Sequence, residues 1–177
     1  FVKGGSAYNV IPGQKKLLLA ILERSGQEDL GIQGNFPNMS MFRTVLRHTG
    51  IYRQDRNGRW WFASPNKLQD KGLERVWHKI QEFLTAPSDR PKEPSTLFDE
   101  LKAPPFGVRA GLIPILFSAG LKAFPAAISL TLNGEYLTDI LPSEIERLCR
   151  EPQAYRLMVL DLDEEKLAYL RDLHKRF

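Results

Sequence analysis

Two Asn-Gly dipeptides, Asn57-Gly58 and Asn133-Gly134, constrain this chain more than any other feature. Each lies between short segments suited to strands, and both residues tolerate the positive φ that a two-residue type I′ hairpin turn demands. The first hairpin is expected over 51–56 and 59–63, with Arg56 opposite Arg59, Asp55 opposite Trp60 and Arg53 opposite Phe62. The second is expected over 127–132 and 135–140.

Helical patterns flank both turns. Residues 14–25 (QKKLLLAILERS) read as a helix stopped by Gly26. Ser40 can cap a helix running to about His48, with Phe42, Val45 and Leu46 as its apolar stripe and Gly50 as its stop. Leu73, Val76, Trp77, Ile80, Phe83 and Leu84 recur at helical spacing over 71–85, so Trp77 is expected in the core. The polar, proline-rich stretch 86–95 (APSDRPKEPS) reads as a linker. Beyond it come a short helix over 96–102, with Asp99 three residues after Thr96, and an apolar helical stretch over 108–124 that is kinked or restarted at Pro114. Ser143 and Glu146 form a capping box, residues 155–160 alternate as a strand, and Asp163 opens a last helix.

Helices followed by a twisted hairpin outline a winged-helix unit. The expected fold is therefore α+β and mostly helical, with tandem winged-helix-like units each carrying an Asn-Gly β-hairpin. Unit 1 spans 1–85, the linker 86–95 and unit 2 96–177. The competing arrangement is a single α+β domain whose two hairpins join one sheet.

Hydrophobic content of 42% and charged content of 26% suit a globular chain rather than a disordered one. No apolar run approaches the roughly 18 residues of a membrane span, and no export signal opens the sequence. The lone Cys149 cannot form an internal disulfide, which suits a reducing compartment, so a cytoplasmic location with no membrane association is expected. The chain begins Phe1-Val2-Lys3 and is expected to be a piece of something longer.

The net charge of +4 is mild, but its distribution is informative. Residues 43–60 hold Arg43, Arg47, Arg53, Arg56 and Arg59 against Asp55 alone, so this window matches the whole surplus. A localised patch is what phosphate binding requires. In a winged helix the helix before the hairpin enters the major groove and the hairpin follows the backbone. Arg43, Thr44, Arg47 and His48 would then face the groove. Arg53, Arg56 and Arg59 would be wing contacts, with Trp60 or Trp61 packed beneath or alongside. Guanidinium groups bind phosphate bidentately and read guanine edges. The same arginines could instead meet a protein or intramolecular partner, or simply lay their stems over aromatic rings with no ligand.

The second hairpin is a control: AISLTLNGEYLTDI carries two acids and no Lys or Arg, so a structural or docking role fits it better. No catalytic constellation emerges. Ile11-Pro-Gly-Gln-Lys-Lys16 lacks the GxxxxGK[ST] spacing of a phosphate loop. Asp161, Asp163, Glu164 and Glu165 are expected at a helix N-terminus, where acids offset the dipole. His48, His78, His174 and Cys149 show no ligand spacing, so no cofactor or metal is expected.

The segments NFPNMSMFRTVLRHTGIYRQDRNGRWWF and LFDELKAPPFGVRAGLIPILFSAGLKAF resemble a region of very large bacterial P-loop ATPases of phage-defence (BREX-type) systems. The points of likeness are a helix ending at Thr49-Gly50 before an aromatic strand pair at Trp60, Trp61 and Phe62, and Leu97 onward leading to Pro104-Pro105-Phe106-Gly107. An apolar helix and an Asn-Gly hairpin over 112–140 follow, so the likeness covers about residues 35–150. The ATPase motifs of that family lie elsewhere. The resemblance implies a non-catalytic accessory region of a DNA-associated motor. Two functions are expected to compete: a module contacting duplex DNA through helix 40–49 and hairpin 51–63, or a scaffold joining ATPase and partner subunits without DNA affinity.

Overall fold

The computed structural model describes residues 12–34 and 37–160. Helix α1 (Pro12–Glu23) leads through a 3-10 turn (Glu28–Gly31) to α2 (Pro37–Phe42), which continues directly into a π-helical turn (Arg43–Arg47). Strands β1 (Tyr52–Gln54) and β2 (Trp60–Phe62) follow, then α3 (Lys71–Thr85), α4 (Pro94–Lys102) and α5 (Ile113–Ala123). The chain continues through β3 (Ile128–Leu132), β4 (Glu135–Tyr136), α6 (Pro142–Arg150) and β5 (Tyr155–Val159). The protein is thus α+β and mainly helical. All strand pairing is antiparallel: β1 with β2 in one sheet, and β4-β3-β5 in another. The two hairpins therefore do not join one sheet. Among the described residues no helix is long and apolar enough to cross a membrane.

Helix α5 lies at the centre, because its apolar sequence leaves no polar face: residues 113–120 are all buried. It packs against α1, α3 and α6. Gly120 lets α3 approach closely, since a Cβ there would stand 2.6 Å from Ile80 Cγ2. Trp77 is fully buried, as its place on the apolar stripe of α3 predicts; its indole N–H donates to the Ala63 carbonyl at 2.7 Å. The Trp77 ring also lies 4.9 Å from Phe124. Each such large side chain contributes on the order of 1.5–3 kcal/mol by leaving water. Residues on both sides of 86–95, among them Leu17, Ile80, Leu116 and Ile145, belong to one buried cluster. Within 86–95, Lys92 and Leu157 exchange backbone hydrogen bonds of 2.6 and 2.9 Å, which fastens that stretch to β5.

Local chemistry departs from the sequence expectations at several points. The first hairpin does not turn on Asn57-Gly58 alone. Tyr52 pairs with Phe62, Arg53 with Trp61 and Gln54 with Trp60, one residue out of the expected register. Arg56 therefore does not face Arg59, nor Arg53 Phe62. Asp55 closes a longer loop instead: its N–H donates to the Arg59 carbonyl (2.8 Å) and its carbonyl accepts from Gly58 (3.1 Å). Only Gly58, at φ +80, takes the left-handed conformation; Asn57 does not. This is the three-residue hairpin loop with glycine in the αL position. The second turn has two residues, Asn133 at φ 50 and Gly134 at φ 89, and β4 stops at Tyr136, short of residue 140.

Helix bounds also differ: α1 spans Pro12–Glu23 rather than 14–25, and α5 begins at Ile113 rather than 108. Helix α2 begins at Pro37, so Ser40 lies inside it and offers its carbonyl to the Thr44 hydroxyl. Helix α4 begins at Pro94, two residues before Thr96, and Asp99 instead pairs with Lys102 at 2.8 Å. Pro142 opens α6 without a side-chain cap, and Glu146 of the expected box meets Lys15 instead (3.0 Å), while Glu144 accepts from the Tyr155 hydroxyl (3.0 Å). The helix expected from Asp163 lies outside the described residues.

Candidate functional site

The amphipathic pattern of 37–48 buries Met39, Phe42 and Leu46 and turns Ser40, Arg43, Thr44, Arg47 and His48 to solvent. The π turn is closed by the His48 N–H on the Arg43 carbonyl (2.8 Å), a spacing of five residues. Arg43, Thr44, Arg47 and His48 thus share one exposed face, and Arg43 and His48 have no side-chain partner among the described residues.

Arg47 closes the gap between this helix and the hairpin. Its guanidinium carbon sits 4.2 Å from the centre of the Trp60 ring, which stacks on Tyr52 at 5.6 Å and 20°. Its Nε stands 3.5 Å from Asp29 Oδ1. That oxygen is buried yet accepts no hydrogen bond, so the attraction is one of charge alone. Tyr52 anchors the column: its hydroxyl donates to the Gln27 carbonyl (2.7 Å) and accepts from the Gly26 N–H (2.9 Å). Burial pushes the Tyr52 hydroxyl pKa up, so it stays protonated.

The hairpin arginines have different fates. Arg59 is tied into the turn, its Nε 3.0 Å from Asp55 Oδ2. The other Asp55 oxygen accepts the N–H groups of Asn57 (2.8 Å) and Arg59 (2.9 Å). The Arg59 backbone bond, then that of Asn57 and the Arg59 guanidinium, hold this carboxyl below its ordinary range. Arg56 projects from the loop without a partner among the described residues. Arg53 lies on the opposite face of the hairpin from Tyr52, across from Trp61, and its Nη1 donates to the Lys67 carbonyl at 3.3 Å. There it lines an open cleft of about 600 Å³ with His48, Thr49, Gly50, Lys67 and Asp70.

No family model, curated protein or solved structure matches the chain. The site's character rests on its own geometry. The seven residues expected at it divide into three groups: the helix face (Arg43, Thr44, Arg47, His48), the loop (Arg56, Arg59) and the outer hairpin face (Arg53). His48 belongs both to the helix face and to the cleft that Arg53 lines.

Sequence reasoning did not single out Lys67, which follows Pro65 in a 3-10 turn with no periodicity to orient it. It also left open which tryptophan is free. The register decides that: Trp60 is buried, and Trp61 is 38% exposed. Over 37–70 there are six Arg and Lys against two acids, and both acids are engaged locally. Asp55 closes the loop, and Asp70 caps α3 by accepting from the Leu73 N–H at 2.7 Å. Among the described residues no group of three His, Cys, Asp or Glu side chains could hold a metal ion.

Proposed function

We propose that this chain is an accessory module of winged-helix type that contacts duplex DNA through the exposed face of the helix at 37–48 and the loop of the first hairpin. The observation that carries this reading is the shared exposure of Arg43, Thr44, Arg47 and His48 on one helix face, with the exposed cation Arg56 in the hairpin loop; Asp29 meets that face at Arg47 and leaves Arg43 and His48 without a side-chain partner among the described residues. Such a surface attracts a polyanion by counterion release and needs no catalytic group. The resemblance to phage-defence ATPases supplies the setting: a DNA-associated motor whose nucleotide-binding motifs lie in other parts of a longer protein, with this segment non-catalytic.

Arg43 and Arg56 are the cleanest probes, because neither has a side-chain partner among the described residues. Binding to a random duplex is measured by fluorescence anisotropy across a salt series. The Arg43→Ala/Arg56→Ala double variant should bind more weakly, with a log–log salt slope shallower by about 2, roughly 0.9 for each phosphate no longer neutralised. An unchanged slope refutes the reading.

A scaffold role is the second reading. The exposed Tyr136 (78%) and Leu141 (54%), beside a hairpin without Lys or Arg, favour it. Helix α5 lends it nothing, since its apolar surface is consumed inside the fold. Absence of duplex binding even at low salt leaves the scaffold as the better account.

A further inference from the structure

Trp61 stands out among the aromatic residues of the first hairpin. Its neighbours in β2, Trp60 and Phe62, are buried against Tyr52 at 5.6 and 4.7 Å. Trp61 points to the other face of the strand pair, where its direct cross-strand partner is Arg53. Among the described residues no aromatic ring stacks on it and no cation stands over it. Arg47 covers Trp60 instead. The Arg53 guanidinium, which could have shielded the indole, turns away to the Lys67 carbonyl and into the cleft with His48 and Lys67. The result is a partly exposed indole, 38% open, on the same hairpin face as Arg53, whose guanidinium reaches from that face into the adjoining cleft.

We infer that Trp61 is a stacking platform for an unpaired nucleobase, with Arg53 and Lys67 holding the phosphates of the same strand. This inference rests on the nucleic-acid reading above and refines it: the preferred ligand is a duplex with a single-stranded extension rather than a uniform duplex. The face Arg43–Thr44–Arg47–His48 would hold the paired part, and the outer hairpin face the unpaired part. His48, common to the helix face and the cleft, marks where the two meet. Stacking suits this position because every unpaired base has a free π face, whereas a base pair within a duplex is already stacked on both faces. Asp70, the one acid in the cleft, is occupied as the α3 cap and opposes a phosphate less than a free carboxylate would.

The test compares a blunt DNA duplex with the same duplex carrying an oligothymidine tail, using the wild-type chain, Trp61→Ala and Trp61→Phe. The wild type should bind the tailed duplex more tightly. Trp61→Ala should lose that preference, by roughly 5- to 150-fold for one stacked base, and leave blunt-duplex binding unchanged. Trp61→Phe should keep most of it, since a ring remains; unaltered thermal melting of both variants checks the fold. Equal binding of tailed and blunt duplex, or a tail preference that survives Trp61→Ala, overturns the inference alone. No binding to either DNA overturns both the inference and the function it refines.

Discussion

Arg47 sits over Trp60, its guanidinium carbon 4.2 Å from the ring centre, and Trp60 in turn stacks on Tyr52. One residue of the exposed helix face is thereby part of the hairpin's packing. Arg47→Ala removes the cation, its stem and the pull on Asp29 together, and should cost roughly 0.5–2 kcal/mol in urea unfolding. Arg47→Lys should recover only part, because an ammonium has no flat face to lay on the indole. Full stability in Arg47→Ala would show that the stack carries no energy. For the same reason, a loss of DNA affinity in an Arg47 variant means less than one in Arg43 or Arg56.

Gly120 tests the centre of the fold. Alanine is the better helix former by about 1 kcal/mol, which alone would make Gly120→Ala stabilising. The new methyl would stand 2.6 Å from Ile80 Cγ2 and 3.0 Å from Leu84 Cδ1. A β-branched side chain such as Ile80 has little rotamer freedom with which to move aside. Overpacking of this kind costs about 1–3 kcal/mol, so the net effect should be destabilising. The penalty should shrink in an Ile80→Ala background, and a purely additive double variant would count against a direct clash.

Tyr155 provides a pH signature. The residue is buried, and its hydroxyl donates to Glu144. Burial first, then the Glu144 carboxylate, push its pKa up to about 12 from an ordinary 10.0. The folded state therefore keeps a proton that the unfolded chain releases. That contribution is whole below pH 10 and declines as pH rises from 10 towards 12. Burial lowers the Lys92 pKa, which has the opposite sign over alkaline pH, so the informative quantity is a difference between variants. Unfolding free energy against pH should fall less steeply in Tyr155→Phe than in the wild type above pH 10. Parallel curves would mean that Tyr155 does not titrate differently in the two states.

Much of the helical layout could be read from periodicity. The stripe of α3 follows from apolar spacing, and Pro114 lies in the first turn of α5, which begins at Ile113 and not at 108 as the apolar run alone suggests. Local rules failed where side chains had a stronger claim elsewhere. Asp55 satisfies three donors at once by closing a longer loop, and that draws the hairpin one residue out of the register Asn57-Gly58 alone would set. Glu146 leaves its expected capping position for Lys15, and Glu144 accepts from Tyr155, partners that no local pattern announces. At the site, the exposed helix face was legible because 43, 44, 47 and 48 recur with the helical turn. The meeting of Arg47 with Asp29 was not, since it depends on a distant loop with Asp29 and Leu30 at positive φ. Lys67 and the freedom of Trp61 follow from loop geometry and strand register, which charge counting does not reveal.

The stretch 86–95 has the composition of a tether, yet Lys92 is woven into it as a rung of a sheet. Its main chain pairs with Leu157, and its ammonium group donates to the Phe83 and Ala86 carbonyls as α3 ends. Proteolytic nicking beside this lysine would break one covalent bond but leave its non-covalent seams in place. The severed pieces would stay together as a complex, and anyone trimming the protein there would strip β5 of a neighbour rather than free two independent parts.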